Sequence, residues 1–140
     1  MQISKNFSWA EFEKSDTAKR LGILNVVSSF EVRDNILELV DKVLQPLRDA
    51  WGKPIKINSG YRCEKLNKAV GGVPTSQHTK GQAADCGVDD PLALVRLLLD
   101  LGLEFDQAIV YPTFVHISYK AEGGNKNKVL YNKSYTGPRL

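Results

Sequence analysis

The amino-acid sequence predicts an α+β fold: a small, mostly antiparallel sheet with helices packed on it, in one domain over residues 1–140. Three observations carry that expectation. Helical patterns come first, helix and strand patterns then mix, and the late apolar runs of strand length are joined by short, hairpin-like connections. A doubly wound sheet would alternate strand and helix throughout. With 140 residues, 42% hydrophobic and 25% charged, the chain can bury a core without disulfide staples.

Each element has a local reason. In "FSWAEF" Ser8 caps a short helix, Glu11 completes a capping box, and Phe7 with Phe12 form a hydrophobic staple. "VSSFEV" repeats that grammar with Ser28 as cap, Glu31 closing the box, and Val27 with Val32 as staple. Val32, Ile36, Val40, Val43, Leu44 and Leu47 then recur at helical spacing, predicting an amphipathic helix over about 29–51. Pro46 lies inside it and should kink or end it near Lys42–Gln45. "KPIKINSGYR" reads as a short strand ending in a turn, and "CEKLNKAVGG" as a short helix stopped by Gly71-Gly72. "GQAADCGV" is a strand of small residues. In "DDPLALVRLLLDLG" Asp90 caps, Pro91 suits the first helical position and Gly102 ends the helix. "DQAIVY" and "FVHISY" are strands about a Pro112-Thr113 turn, and "KVLYN" adds an edge strand.

Composition narrows the function classes. A net charge of +3, with no basic run interleaved with aromatics, gives no case for nucleic acid. The N-terminus has no apolar signal-peptide core, and nothing approaches the roughly 18 apolar residues of a membrane span. The expectation is a chain made in the cytoplasm that reaches its target by lysis or another signal-independent release. Cys63 and Cys86 form neither a CxxC pair nor a disulfide framework and are expected to be reduced thiols. The basic stretch after Lys120 reads as a solvated tail.

Chemistry concentrates in "SQHTKGQAAD", which sets His78 and Asp85 seven positions apart across Gly81. The stretch is either a polar turn running into a strand or two thirds of a metal site. His116, the second of two histidines, sits in "FVHIS", where Phe114, His116 and Ser118 share one strand face and Val115 and Ile117 the other. Alone it reads as a hydrogen-bonded core residue. Jointly, two imidazoles and one carboxylate suit zinc, and three protein ligands leave a fourth position open, as in catalytic rather than structural sites.

These residues also carry a resemblance. "SQHTKGQAAD" fits the SxHxxGxAxD pattern of the zinc D-alanyl-D-alanine carboxypeptidases and L-alanyl-D-glutamate endopeptidases. "INSGYRCEKLNKAVGG" is similar to that superfamily's segment just upstream, and "FVHIS" to its last-ligand strand. "NFSWAEFEKSDTAKRLGI" and "LQPLRDAWGKPIKINSGYR" resemble phage- and prophage-type members. The resemblance implies the fold shared with hedgehog domains, Zn²⁺ held by His78, Asp85 and His116, and hydrolysis of an amide in peptidoglycan stem peptides. It implies that Arg62, sixteen residues before His78, contacts a substrate carboxylate or polarises the scissile carbonyl. It implies further that Ser76 hydrogen-bonds substrate.

The chain also departs from that pattern. Many relatives carry a Glu or Asp three positions before the last ligand, where this sequence has Thr113; others carry a histidine two before it, where this one has Phe114. Asp106 and Tyr111 are the nearby candidates, Asp106 as acid/base and Tyr111, with an ordinary pKa near 10, for steadying an oxyanion. Losing a positioned acid/base would cost on the order of 10²–10⁴-fold in rate. Two alternatives therefore stand beside the zinc peptidase: a non-catalytic zinc-containing module that binds wall peptides or a protein, and a metal-free structural domain. The sequence leaves open which bond is cut, and sets no oligomeric state.

Overall fold

The computed structural model describes residues 1–140. Helix α1 spans Trp9–Glu13, α2 Asp16–Leu21, α3 Phe30–Leu39 and α4 Gln45–Trp51; strand β1 spans Lys56–Ser59 and α5 Glu64–Ala69. There follow β2, Ala83–Gly87, α6, Pro91–Asp100, β3, Gln107–Val110, β4, Phe114–Ser118, and β5, Lys128–Tyr131. No helix is long and apolar enough to cross a membrane.

The capping box at Ser8 forms as expected, with the Ser8 amide donating to Glu11 and the Glu11 amide to Ser8 Oγ. Both residues of its staple, Phe7 and Phe12, are fully buried. The second cap differs by one residue. Ser29, not Ser28, accepts from the Val32 amide, so the helix starts at Phe30 and Glu31 closes no box. Two adjacent serines offer the same chemistry, and the helical stripe of Ile36 and Leu39 decides which of them stands at the boundary. Helix α2, capped by Ser15, is an element the apolar periodicity did not announce, because only Ala18 in it is buried.

The long helix does not end at Pro46. Between α3 and α4 the segment Val40–Leu44 is a π-turn, with the Gln45 amide donating to the Val40 carbonyl. Proline has no N–H for the carbonyl four residues back, and its ring would press on it. One extra residue in the preceding turn relieves both conflicts. The stripe survives the insertion: Val40, Val43, Leu44 and Leu47 are all buried.

The five strands run in the order β1-β2-β4-β3-β5. The β1/β2, β2/β4 and β3/β4 pairs are antiparallel, as expected; β5 joins the edge parallel to β3. One face carries Ile57, Ala84, Cys86, Ala108, Val110, Val115 and Ile117 into a single core shared with the apolar sides of α3, α4 and α6. The period of two then sends Asp85 and His116 to the opposite face. Both cysteines are free thiols, Cys86 buried and Cys63 half-buried.

Candidate metal centre

Three elements converge on the outer face of the sheet. In the β2/β4 ladder Asp85 stands directly opposite His116, so their side chains rise as a cross-strand pair. His116 Nδ1 lies 2.9 Å from Asp85 Oδ1. The third group comes from a one-turn 3₁₀ helix, Gln77–Lys80, ahead of β2. Ser76 Oγ accepts from the His78 amide, and the Thr79 hydroxyl donates to the Ser76 carbonyl. Gly81, at φ 74°, ends that turn in the left-handed region and feeds β2. A Cβ there would meet the Val32 carbonyl oxygen at 2.6 Å, so helix α3 packs directly on the turn. Asn35 Nδ2 adds a hydrogen bond to the Lys80 carbonyl.

His78 is thereby buried, with Nε2 3.3 Å from Asp85 Oδ1. Its other nitrogen, Nδ1, is 2.7 Å from the carbonyl of Gly60. A carbonyl only accepts, so Nδ1 carries the hydrogen and Nε2 keeps its lone pair toward Asp85. Gly60 follows a bulge in β1, where the pairing slips by one residue between Ile57 and Ser59. The two imidazoles meet edge to face, with centroids 5.1 Å apart.

One atom from each of His78, Asp85 and His116 lies within 4.8 Å of the others, a spacing at which one ion could join all three. Burial opposes charge on Asp85, but the hydrogen bonds and positive charge that His116 and His78 supply in their protonated, metal-free forms outweigh it and hold the carboxyl well below the usual range. The donor set fits zinc: one anionic oxygen, one nitrogen with its tautomer fixed by a backbone carbonyl, and a second imidazole nitrogen on the same oxygen.

Beside the trio, Arg62 Nη2 donates to Ser76 Oγ at 3.2 Å, and the Arg62 amide donates to the His78 carbonyl. Burial lowers the Arg62 pKa from its ordinary value and the negative charge of Asp85 raises it. The structure thus brings Arg62, Ser76, His78, Asp85 and His116 together. Tyr111 stacks on Phe114, with centroids 4.2 Å apart, at the tip of the β3–β4 hairpin. Asp106 is buried with other partners: its carboxylate accepts from Gln77 Nε2 and the Lys126 amide, and Lys120 Nζ lies 4.0 Å away.

Sequence reasoning missed the Gly60 carbonyl, and also two buried asparagines. Asn25 donates to the carbonyls of Glu13 and Tyr61 and accepts from the Cys63 amide, bracketing Arg62. Asn67 accepts from Arg62 Nε. A backbone carbonyl leaves no sequence signal; Asn25 is marked only as a polar residue amid apolar ones, and Asn67, between Leu66 and Lys68, not even by that.

A His-Asp-His trio, with His78 buried and the other two half-buried, and an arginine at its side on the sheet face opposite the core, has the donor set of a metal centre. The peptidase M15 profile matches residues 5–118. A zinc D-Ala-D-Ala carboxypeptidase of Streptomyces albus G is 40% identical over 83 residues, which are 59% of this chain and 31% of that protein. This chain belongs to the peptidase M15 family, whose peptidases are zinc-dependent. It spans less than a third of the length of its Streptomyces relative.

Proposed function

We propose that the protein hydrolyses an amide bond in peptidoglycan stem peptides with zinc held by His78 Nε2, Asp85 and His116 Nδ1. The convergence of those three donors beside Arg62 and Ser76 carries the reading. The Streptomyces relative's name favours a D-Ala-D-Ala bond at a free carboxyl end.

Zinc in such a site supplies Lewis-acid polarisation of the scissile carbonyl and lowers the pKa of water. The chain's own residues do the rest. The Gly60 carbonyl keeps the His78 proton on Nδ1, away from the ligand position. Asp85 brings the anionic oxygen that faces both imidazoles. Arg62 offers a permanent, forked cation either to the oxyanion that develops as the carbonyl is attacked or to a substrate carboxylate. Ser76 anchors that arginine through its hydroxyl oxygen and keeps an O–H for substrate. Asp106 is the candidate acid/base in this reading, linked to the site through Gln77; Tyr111 is the candidate substrate contact at the hairpin tip.

The setting we infer is the cell wall, where peptidoglycan stem peptides lie. Mass spectrometry of defined muropeptides incubated with the zinc-loaded protein tests the activity and reports the bond. Intact muropeptides after long incubation with stoichiometric zinc bound would refute hydrolysis. That outcome would leave the second reading, a zinc-containing module that binds wall peptide or a protein. One observation favours it: Asp106 is committed to Gln77 and Lys126, and the hairpin positions nearest His116 hold an exposed Thr113 and a stacked Phe114.

A further inference from the structure

Arg62 is half-buried beside the trio, near enough for the charge of Asp85 to act on its guanidinium. Its guanidinium has five N–H donors in a rigid plane. Two contacts orient that plane: Nη2 to Ser76 Oγ and Nε to Asn67 Oδ1, both at 3.2 Å. The Asn67 side is the more constrained of the two. Asn67 is 3% exposed, and its Nδ2 donates to the Val73 carbonyl at 2.8 Å. That donor end fixes which way the amide faces, so its oxygen must face the arginine. Its backbone is tied as well, the Asn67 amide donating to the Cys63 carbonyl and the Gly72 amide to the Asn67 carbonyl.

Gly72 completes the clamp by close approach. A Cβ at position 72 would run into Asn67 Oδ1, and the backbone there has no positive φ that would demand glycine for its own sake. The missing side chain therefore makes room for the asparagine oxygen. Asn67 lies on α5, whereas Ser76 caps the 3₁₀ turn bearing His78. Arg62 is thus held from two elements, one of which also carries a donor of the trio.

We propose that Asn67, with Gly72 keeping its place free, is a positioning residue that sets the guanidinium plane of Arg62 for substrate. This rests on the reading of Arg62 as a substrate-facing cation. Asn67 touches no reacting atom; it acts through Arg62.

The test measures kcat and KM on a defined muropeptide for Asn67→Ala, Gly72→Ala, Arg62→Ala and the Asn67→Ala/Arg62→Ala double variant, with zinc content and thermal unfolding alongside. Gly72→Ala retains every atom of Asn67 yet displaces its oxygen, so it stands if Asn67→Ala fails to fold. The proposal predicts that each single change at 67 or 72 lowers kcat/KM on the order of ten- to a hundredfold. The loss falls on the same kinetic parameter as in Arg62→Ala, and zinc content is unchanged. The double variant is no slower than Arg62→Ala alone. A second readout needs no turnover: in the ¹⁵N NMR spectrum the Arg62 Nε–H exchanges with water faster in both single variants than in wild type. Wild-type kinetics and unchanged Nε–H exchange in Gly72→Ala and in folded Asn67→Ala would overturn the proposal, as would losses that multiply in the double variant. An inactive wild type would overturn instead the hydrolytic reading, and the exchange measurement would still decide whether Asn67 orients Arg62.

Discussion

Replacing Gly81 with alanine disturbs the turn that carries His78 in two separable ways. Its φ of +74° costs a residue with a Cβ about 1–2 kcal/mol. The added carbon would also stand 2.6 Å from the Val32 carbonyl oxygen and 2.9 Å from Ile36 Cγ1. Neither neighbour yields easily, since one is helix backbone and the other a fully buried side chain. Overpacking of that kind costs about 1–3 kcal/mol more, for a total of about 2–5 kcal/mol. Gly22 is the control, with a φ of +67° and nothing within 4 Å of its would-be Cβ. Urea unfolding in the presence of chelator should therefore show Gly81→Ala destabilised beyond Gly22→Ala by about 1–3 kcal/mol, with equal slopes. Zinc affinity should fall in the first variant and not in the second, because relief of the clash moves the turn beneath His78. Equal destabilisation, or an unaltered zinc affinity in Gly81→Ala, would refute the account of α3 as the support on which His78 is placed.

Asp85→Asn preserves shape but removes the anionic oxygen shared by both histidines, and competition with a chromophoric chelator should show zinc affinity reduced more than about a hundredfold, beyond the loss typical of supporting residues. Asn25→Ala strands the carbonyls of Glu13 and Tyr61 and the amide of Cys63, and should cost about 3 kcal/mol in denaturant unfolding. Burial and the charge of Asp85 push the Cys86 thiol far above its ordinary pKa, whereas Cys63 is half-buried; iodoacetamide followed by mass spectrometry should find label on Cys63 in the native protein and on Cys86 only after unfolding.

How far the site was legible follows from what fixes each part. The face of His116 follows from strand alternation, and Gly81 announces a turn between His78 and Asp85; both expectations match the structure. The Asp85–His116 register was not legible, because it depends on the pairing of strands 31 residues apart. Nor was the Gly60 carbonyl, which any residue would supply. Asn25 reaches Tyr61 and Cys63 across a gap that only the folded chain closes. Asp106 drew attention by preceding an apolar strand, while its partners lie in the 3₁₀ turn and the loop at Lys126, on segments distant in sequence. The parallel pairing of β5 is set by the path of the loop between Tyr119 and Asn127, which composition does not encode. At the long helix Pro46 signals a disturbance, and its missing N–H and ring crowding select a π-turn over a break.

Crystals of the zinc-loaded protein, measured on either side of the zinc absorption edge, would test the shared centre most directly. The account predicts a single strong anomalous peak about 2.0–2.2 Å from His78 Nε2, an Asp85 carboxylate oxygen and His116 Nδ1, with one coordination position outside the protein. A peak held by other residues, or none between these three, would contradict it.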